Sequence, residues 1–466
     1  MTPAPGSRSP GRPGPTPAAR LLDPAGHPER DRTRLLTLKG GAVRRQFMTT
    51  VAAGLGVALP FSLSACADDA DSLHSGLTIK LIATEYGNGP ENSTKRYWDE
   101  LVTEFEAKNP GTRVSVEVYS RSEVDRKVAS LVKAGTAPDL AQAGSYGEYA
   151  AEGRLYKVRN LLSVPTEASF IPALTDGGEM SGTRYAMPFA ASTRVLFYNK
   201  DLLERAGISD PPKTWKQLAE DASALQRAGV RIPYGLPLGA EEAQAETLNW
   251  LLSGGGGYTN DTGSYAFDSA ENVYTFEWLK AQLVDKGLTQ PDPLGTNRQD
   301  AYDAFTRGEV AMLNGHPTLM EQARKKGISF GMAPLPGRNG PSRAATGTVD
   351  WMMAFNQNGK RKEVGDFLDF VYTKKNDLKF ADRYDLLPVT WEATEEMQSG
   401  GANKEMRQFF DQLSGAEFYP VGKKSWGPIV ARLRSLIGWA LAKDSNPKEL
   451  LYGLQNEASR METGAS

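Results

Sequence analysis

The sequence is poor in cysteine and histidine, with a single cysteine, at position 66, and three histidines in 466 residues. One cysteine excludes an intramolecular disulfide and any cysteine-rich zinc or iron–sulfur site. The formal net charge of −2 lacks the basic excess that nonspecific nucleic-acid binding requires, so we expect no nucleic-acid partner. The apolar fraction of 40% and aromatic fraction of 9% are those of a globular chain, and its 466 residues are enough for two or three domains.

Sequence motifs for common enzyme chemistries are also missing. The chain has no HExxH pair and no G-x-x-x-x-G-K-[ST] phosphate loop, and the glycine run at 254–257 predicts a flexible loop. Beyond residue 65 only His74 and His316 remain, and His316 has no nucleophile elbow to serve as the base of a catalytic triad. The sequence therefore predicts no catalytic residue, no cofactor and no metal site.

The first 65 residues differ in composition from the rest of the chain. Residues 1–42 hold 8 of the 29 prolines, seven Lys or Arg and no aromatic residue, and so predict a disordered prefix. Residues 43–65 combine Arg44-Arg45 with an apolar stretch, Phe47 to Phe61, that is too short to span a membrane. This order, followed by small residues, predicts an export signal peptide.

The lone Cys66 follows this signal directly. Leu63-Ser64-Ala65-Cys66 resembles a bacterial lipobox, and Arg44-Arg45 resembles a twin-arginine export signal, although Val43 stands where Ser or Thr is expected. Cleavage before Cys66 and lipidation of its thiol would anchor the chain to the membrane, with residues 66–76 as a tether. We therefore expect export by the Tat or Sec route and attachment to the extracellular face of the cell membrane.

A buried thiol in a core helix is the alternative interpretation of Cys66. Glycines at 54 and 56, Pro60 and the acidic run Asp68 to Asp71 argue against such a helix. Without residues 1–65 the chain has 45 basic and 53 acidic residues, a net charge of −8, and no other apolar run approaches 18 residues. The mature chain is thus expected to be a mildly acidic, exported body with no transmembrane helix.

Beyond the tether, strand patterns alternate with helix patterns. Runs of β-branched and apolar residues predict strands at 77–83 and 113–119, and a third, short strand that opens at 137–140. Apolar residues at helical spacing predict helices that start near Asn92 or Ser93 and at Val124. This alternation implies an α/β fold with βαβ units and a mostly parallel sheet. Further helices are predicted at 215–228, 270–286, 361–373 and 428–442.

Four segments follow one another in the body of the chain. They are Ala186-Met187-Pro188-Phe189-Ala190 through Leu196-Phe197-Tyr198-Asn199-Lys200 to Pro212-Lys213-Thr214-Trp215; Phe305, Gly308, Ala311-Met312 and Asn314-Gly315; Phe355 to Tyr372; and Leu387-Pro388-Val389. These segments, in this order along about residues 77–460, resemble one known family, the extracellular solute-binding proteins of ABC importers that bind sugars and oligosaccharides (family 1, maltose-binding-protein-like).

The resemblance implies a periplasmic-binding-protein-like fold of two discontinuous α/β lobes with hinge crossovers and a cleft between the lobes. We place lobe one at 77–187 plus 336–377 and lobe two at 188–335 plus 378–466. A sugar or oligosaccharide would be held in the cleft by hinge closure, and the closed, monomeric form would dock on the permease subunits of the importer. Lipid anchoring would raise the effective concentration of the binder near the permease.

Candidate ligand-binding residues combine flat apolar faces for the sugar ring with polar groups for its hydroxyls. They lie after predicted strands, where open α/β sheets bind ligands, or in loops where the family places its cleft. The candidates are Glu85, Tyr86, Ser145, Tyr146, Ser192, Thr193, Arg194, Trp250, His316, Asp350, Trp351, Arg383 and Trp426.

Each candidate also has an ordinary structural interpretation. Trp250 lies beside three leucines and could belong to the core, and His316 stands where the family commonly has a stacking Trp, which suggests a polar contact instead. The tryptophans expected in the core or in a structural role are Trp98, Trp215, Trp278 and Trp439.

Two other function classes stay open at this point. A lipid-anchored glycoside hydrolase needs only a pair of carboxylates, which 53 acidic residues can supply. An anchored adhesion or scaffold module is the third class, and the cleft-like segments argue against it.

The unusual length of the prefix generates one prediction. If Val43 is an initiating GTG codon read as valine, residues 1–42 are a gene-start artefact and the precursor begins at position 43. N-terminal sequencing of the unprocessed precursor checks this. A peptide from residues 10–40 in the expressed protein would contradict it.

Overall fold

The structure is a computed structural model, and its described part lies within the compact unit Asp68–Ser466. The predicted prefix, signal peptide and tether, together with Cys66, lie outside the described residues. No helix in the described part is both long enough and apolar enough to cross a bilayer. The described residues are 77–87, 89–342, 344–400, 405–413 and 415–464.

The strands form two main sheets and two small pairs. A five-stranded sheet has the order β2-β1-β3-β12-β6, a four-stranded sheet has the order β10-β7-β9-β8, and the small pairs are β11-β13 and β4-β5. The strands are β1 (Leu77–Thr84), β2 (Thr112–Tyr119), β3 (Leu140–Ala143), β4 (Glu179–Met180), β5 (Thr183–Arg184), β6 (Ala186–Ser192), β7 (Val195–Asn199), β8 (Ile232–Gly235), β9 (Val310–Gly315), β10 (Phe330–Ala333), β11 (Ala345–Thr346), β12 (Thr348–Ala354) and β13 (Ala416–Glu417).

Helices cover both sheets. α9 continues into a π-helical turn, Lys280–Val284, and α16 continues into a 3-10 segment, Ile437–Leu441. The helices are α1 (Thr94–Lys108), α2 (Val124–Lys133), α3 (Gly147–Ala151), α4 (Val164–Ser169), α5 (Pro172–Thr175), α6 (Lys200–Arg205), α7 (Trp215–Arg227), α8 (Ala243–Ser253), α9 (Ala270–Leu279), α10 (Arg298–Thr306), α11 (Thr318–Lys325), α12 (Arg361–Val371), α13 (Lys374–Tyr384), α14 (Trp391–Ser399), α15 (Arg407–Leu413), α16 (Trp426–Leu436) and α17 (Pro447–Thr463).

Most elements predicted from periodicity are confirmed. β1 and β2 match the predicted strands within one residue, and β3 begins at the end of the third predicted segment. α1 begins after Ser93, whose hydroxyl accepts a hydrogen bond from the backbone N–H of Arg96 and so caps the helix. One core assignment is wrong, because Trp439 lies in the 3-10 segment with 59% of its surface exposed.

The connections between the two sheets bring their carboxyl edges together. β1, β2 and β3 run parallel, and β12 runs antiparallel to both β3 and β6, so β6 points the same way as β3. β6 ends at Ser192 and β7, in the other sheet, begins at Val195. Only Thr193 and Arg194 lie between them, and this two-residue link is called the first crossover below. Because two residues span little distance, the ends of the two sheets must face each other.

A second connection joins the same two edges. β10 ends at Ala333 in the four-stranded sheet, and β12 begins at Thr348 in the five-stranded sheet. Thr348 pairs with Ser192, so both connections leave the five-stranded sheet at one level. We call the body around the five-stranded sheet lobe one and the body around the four-stranded sheet lobe two; the cleft is the space between their facing edges.

The sheets divide the chain later than the sequence predicted in two places. β6 belongs to lobe one through Ser192, beyond the predicted division at 187/188. Phe380 and Tyr384 of α13 pack against Tyr97 of α1, with ring centroids 4.9 Å and 6.3 Å apart, so this helix lies on lobe one, past the predicted division at 377/378. Neither shift could be seen in the sequence, because an apolar buried strand such as β6 and a helix with one buried face such as α13 would suit either lobe.

Two predicted cleft residues, Tyr146 and Trp351, lie in the core of lobe one. Trp351 is 1% exposed, and a Cβ atom placed on Gly177 or Gly178 would lie 2.8 Å or 2.9 Å from its indole ring. The Tyr146 hydroxyl lies 2.9 Å from the carbonyl oxygen of Gly177 and 2.8 Å from that of Glu179. The expectation that these two rings face a ligand is corrected, because Trp351 from β12 and Tyr146 from the loop after β3 both pack against the loop at 177–179.

The burial of Trp351 predicts a stability effect. Trp351→Ala removes a ring that fills the space above two glycines, so we expect the free energy of unfolding to fall by about 3–5 kcal/mol. Urea unfolding followed by circular dichroism measures it. Trp391→Ala, at a ring 48% exposed on lobe one, is the control and should change little. A Trp351→Ala protein as stable as wild type would show that this ring does not belong to the core.

Candidate functional site

Lobe one contributes a salt bridge at the edge of its sheet. Arg121, just after β2, places its two Nη atoms 2.8 Å from the two carboxylate oxygens of Asp350 in β12. Tyr86, just after β1, donates its hydroxyl hydrogen to Asp350 Oδ2 at 2.6 Å, and the Arg121 guanidinium lies 5.4 Å from the Tyr86 ring centroid. β3 separates β1 from β12, but it ends at Ala143 and is followed by Gly144, which has no side chain to intervene.

This arrangement fixes the charges of the lobe-one groups. Burial alone would raise the pKa of Asp350, but the Arg121 guanidinium and the Tyr86 hydroxyl outweigh burial and hold that pKa below its usual value. Burial and the Asp350 carboxylate raise the pKa of Tyr86 well above its usual value. Asp350 is therefore an ionised acceptor and Tyr86 a neutral donor at neutral pH.

Lobe two contributes a larger cluster around Glu242, the residue that precedes α8. Glu242 Oε1 lies 2.8 Å from Arg194 Nη2, and Glu242 Oε2 lies 2.7 Å from Arg298 Nε. Arg298 also pairs with Glu241, at 2.6 Å between Nη2 and Oε1. Burial would raise the pKa of Glu242, but Arg194 and Arg298 together lower it to about 2, so this carboxylate is ionised.

His316 completes the lobe-two face. Its backbone N–H donates to the Tyr302 hydroxyl at 3.0 Å, and its Nδ1 lies 2.7 Å from Thr318 Oγ1. Burial, and then the positive charges of Arg194, Arg298 and Arg121, hold the pKa of His316 well below its usual value. The imidazole is therefore neutral at physiological pH.

The two faces act on each other electrostatically across the cleft. Arg121 of lobe one contributes to the lowered pKa values of Glu242 and His316, which belong to lobe two. In return, Glu242 opposes the lowering of the Asp350 pKa. A solute between the lobes would thus meet ionised carboxylates, guanidinium groups and a neutral imidazole, all held by neighbouring side chains. Such fixed polar groups can direct hydrogen bonds to hydroxyls.

The structure brings together four of the predicted site residues: Tyr86, Asp350, Arg194 and His316. Others serve as local supports. Glu85 Oε1 accepts hydrogen bonds from the backbone N–H groups of Gly87 (2.7 Å) and Thr94 (2.8 Å) and so braces the start of α1. Arg383 of α13 pairs with Glu100 of α1 at 2.8 Å, outside the cluster. Glu85 and Arg383 thus lie outside the cluster, and their contact with a ligand stays a prediction.

The remaining polar candidates lie at the connections between the lobes. Ser192 ends β6 and is buried opposite Thr348. Thr193 is buried and donates its hydroxyl hydrogen to the carbonyl oxygen of Phe409 at 2.8 Å. Ser145 donates to the carbonyl oxygen of Val421 at 3.3 Å. The hydroxyls of Thr193 and Ser145 hold chain segments together. That Ser192, Thr193 and Ser145 contact a ligand stays a prediction.

Trp250 and Trp426 expose no ring face in this structure. Trp250 packs against Trp215 and Trp278 with ring centroids 5.7 Å and 6.0 Å away. Trp426, at the start of α16, stacks on Tyr419 with centroids 5.8 Å apart. Both side chains are buried in lobe two, so their prediction as stacking platforms is corrected: aromatic rings from other elements cover both indoles.

The sequence did not predict four residues of the cluster: Arg121, Glu242, Arg298 and Tyr302. Arg121 could have been found, since it follows β2 at the same sheet edge as Tyr86. Glu242 and Arg298 resemble the charged residues that begin any exposed helix. Tyr302 lies on the apolar stripe of α10 beside Ala301 and Phe305, and such a position predicts only core.

Glu246, one turn along α8 from Glu242, is a buried carboxylate in a different environment. Its Oε1 accepts hydrogen bonds from Trp250 Nε1 at 2.8 Å and from Asn314 Nδ2 at 3.0 Å. Burial raises its pKa from 4.5 to about 7, and these donors and Arg194 offset only part of that rise. The folded protein therefore holds Glu246 protonated across a pH range in which the unfolded chain ionises it.

This raised pKa predicts a pH-dependent stability. Below about pH 4.5 the folded and the unfolded protein both bind the Glu246 proton, so this residue does not lower the free energy of unfolding. That free energy falls as the pH rises to about 7 and stays level above it. Glu246→Gln lacks this loss, so its advantage over wild type should grow by up to about 3 kcal/mol between pH 4.5 and pH 8. Urea unfolding at both pH values measures the difference.

Glu242→Gln is the matched control on the same helix. The lowered pKa of Glu242 means that its ionised form stabilises the fold above about pH 4.5, so this variant should lose stability at pH 8. If the free energy of unfolding depended on pH in the same way in Glu246→Gln and in wild type, Glu246 would not be protonated as we infer.

Comparison with known proteins agrees with this architecture. The model of the family "Bacterial extracellular solute-binding protein" matches residues 88–377. A Brucella abortus (strain 2308) protein described as a binding protein is 28% identical over 372 residues, which cover 78% of this chain and 88% of that protein. The sn-glycerol-3-phosphate-binding periplasmic protein UgpB of Salmonella paratyphi A is 26% identical over 376 residues, which cover 74% of this chain and 81% of UgpB.

Solved structures show the same fold. The maltose-bound MalE3 of T. maritima superposes with a TM-score of 0.71 at 20% identity, over 82% of this chain and 99% of that one. The cyclic alpha-maltosyl-1,6-maltose binding protein of Arthrobacter globiformis superposes with a TM-score of 0.68 at 19% identity, over 84% of this chain and 100% of that one. With a family model that matches more than half of its length and two α/β lobes facing each other across a cleft, this chain belongs to the bacterial extracellular solute-binding protein family.

Proposed function

We propose that this protein captures a sugar or oligosaccharide in the cleft and delivers it to the permease subunits of an ABC importer. The observation that carries the proposal is the cluster of paired charges on the two facing sheet edges. A sugar presents many hydroxyls in fixed directions, and each hydroxyl both donates and accepts hydrogen bonds. Carboxylates and guanidiniums held by their neighbours offer matching acceptors and donors without having to reorganise.

The pairing of the charges favours a neutral solute over an anionic one. Arg121 is matched by Asp350, Arg194 by Glu242, and Arg298 by Glu242 and Glu241. A phosphate would have to displace one of these carboxylates or lie close to it, and like charges repel at short distance. Hydroxyls can instead use the lone pairs and N–H groups that the ion pairs leave free.

The names of the relatives include both a neutral sugar and an anionic solute. The two solved structures are named for maltose and for cyclic alpha-maltosyl-1,6-maltose, whereas the curated relative UgpB is named for sn-glycerol 3-phosphate. The charge pairing described above makes us favour the sugar.

Delivery and attachment complete the proposal. Closure of the two lobes about their connections would enclose the solute, and the closed form would be the one that docks on the permease. The lipid on Cys66 would hold the monomer at the extracellular face of the membrane and raise its effective concentration near the permease. The lipobox-like segment at 63–66 supports this anchor.

A thermal-shift panel tests the solute. Because only the folded form binds, a bound solute should raise the melting temperature, and maltose, maltotriose and larger glucans are expected to do so more than sn-glycerol 3-phosphate. Chromatography of the sugar after incubation should show no cleavage product. A rise with sn-glycerol 3-phosphate alone would overturn the choice of a sugar, and released product would favour a glycoside hydrolase.

Variants of buried aspartates connect binding to the cluster. Asp350→Asn weakens the bidentate pair with Arg121 and should lower the affinity for the bound sugar about tenfold or more, measured by calorimetry. Asp139→Asn is the matched control, since Asp139 is also buried in lobe one but pairs with Lys360 away from the cluster. An equal loss in both variants would mean that the effect is on folding.

A further inference from the structure

We propose that Tyr302 is a positioning residue for the binding face of lobe two. It contacts no solute itself, since its side chain is 0% exposed, and it holds Arg194, Arg298 and His316 in the places from which they act. The proposal rests on the proposed function only for its binding readout.

The contacts of Tyr302 carry this inference. Its hydroxyl oxygen accepts hydrogen bonds from Arg194 Nη1 at 3.2 Å and from the backbone N–H of His316 at 3.0 Å. The guanidinium of Arg298 lies 5.0 Å from the centroid of the Tyr302 ring. The His316 ring packs against the same Tyr302 ring, with centroids 5.2 Å apart and an interplanar angle of 62°. One buried side chain thus touches three groups of the cluster, which come from the first crossover, from α10 and from the end of β9.

The contact with Arg194 also fastens the first crossover to lobe two. Arg194 is 4% exposed, and besides Tyr302 its guanidinium pairs with Glu242. Thr193 beside it donates to the carbonyl oxygen of Phe409 in α15. Without the Tyr302 hydroxyl, the Nη1 donor of Arg194 would be left buried without this acceptor, which is costly enough to move the side chain.

A buried tyrosine is ordinarily a packing residue, and Tyr302→Phe separates the two roles. The variant keeps the ring under Arg298 and beside His316 and removes only the acceptor oxygen. Tyr258→Phe is the matched control: Tyr258 is also buried in lobe two, and its hydroxyl donates to the carbonyl oxygen of Gln244 at 2.7 Å instead of meeting either arginine.

Histidine NMR tests whether the Tyr302 hydroxyl acts on His316 in the folded protein, and the affinity for solute tests whether that contact matters for binding. Beyond residue 65 the chain has only two histidines, His74 and His316, so the His316 imidazole signals in a ¹H–¹³C spectrum can be assigned directly. In the solute-free protein, Tyr302→Phe should shift the His316 signals, whereas Tyr258→Phe should leave them in place. The affinity for maltotriose should fall about tenfold in Tyr302→Phe alone, with both variants melting within a few degrees of each other.

The outcomes separate this proposal from the choice of solute. Unchanged His316 signals in Tyr302→Phe would overturn the positioning role, as would equal losses of affinity in both phenylalanine variants. Shifted signals in Tyr302→Phe alone, with no maltotriose binding even by wild type, would support the positioning role and refute maltotriose as a solute. Shifted signals and weakened binding in Tyr302→Phe alone would support both the positioning role of Tyr302 and maltotriose as a solute.

Discussion

The two-residue link between β6 and β7 is the constraint on which the structure depends. Ser192 is paired into one sheet and Val195 into the other, and two residues reach only about 7–10 Å. The carboxyl edges of both sheets must therefore meet, and side chains that follow unrelated strands are brought to one place. The second connection, which ends at Thr348 opposite Ser192, repeats the constraint at the same level of the five-stranded sheet.

A buried arginine at this link dictates the chemistry around it. Removing the Arg194 charge from water is costly unless partners surround it, and Glu242 and Tyr302 supply them. The same helix shows how much the partners matter. Glu242, between two guanidiniums, has a pKa lowered to about 2, whereas for Glu246, one turn away and hydrogen-bonded to neutral donors, burial raises the pKa to about 7. Two carboxylates four residues apart thus carry different charges, because only one has cations against it.

The sequence predicted secondary structure and part of the site well, for identifiable reasons. Periodicity and caps located β1, α1 and α7, and the rule that ligands bind beyond the carboxyl ends of strands found Tyr86. The sequence could not show whether Trp351 lies in the cleft or in the core, because a large ring near the start of a strand suits either place. Only the position of the loop at 177–179 decides. Tyr302 was missed for the same reason, since an aromatic residue on an apolar helix stripe predicts packing and nothing more.

The burial of the tryptophans changes how the cleft would discriminate among solutes. Trp250, Trp351 and Trp426 are all packed inside their lobes. The polar cluster, rather than broad stacking surfaces, would therefore determine which solute the cleft selects. A stacking platform tolerates many sugars, because any pyranose offers a flat C–H face. Paired carboxylates and guanidiniums are less tolerant: a hydroxyl pointing the wrong way leaves one of them buried without a partner, and that costs more than a lost apolar contact. A cleft built in this way should select by the direction of hydroxyls more than by the size of the ring.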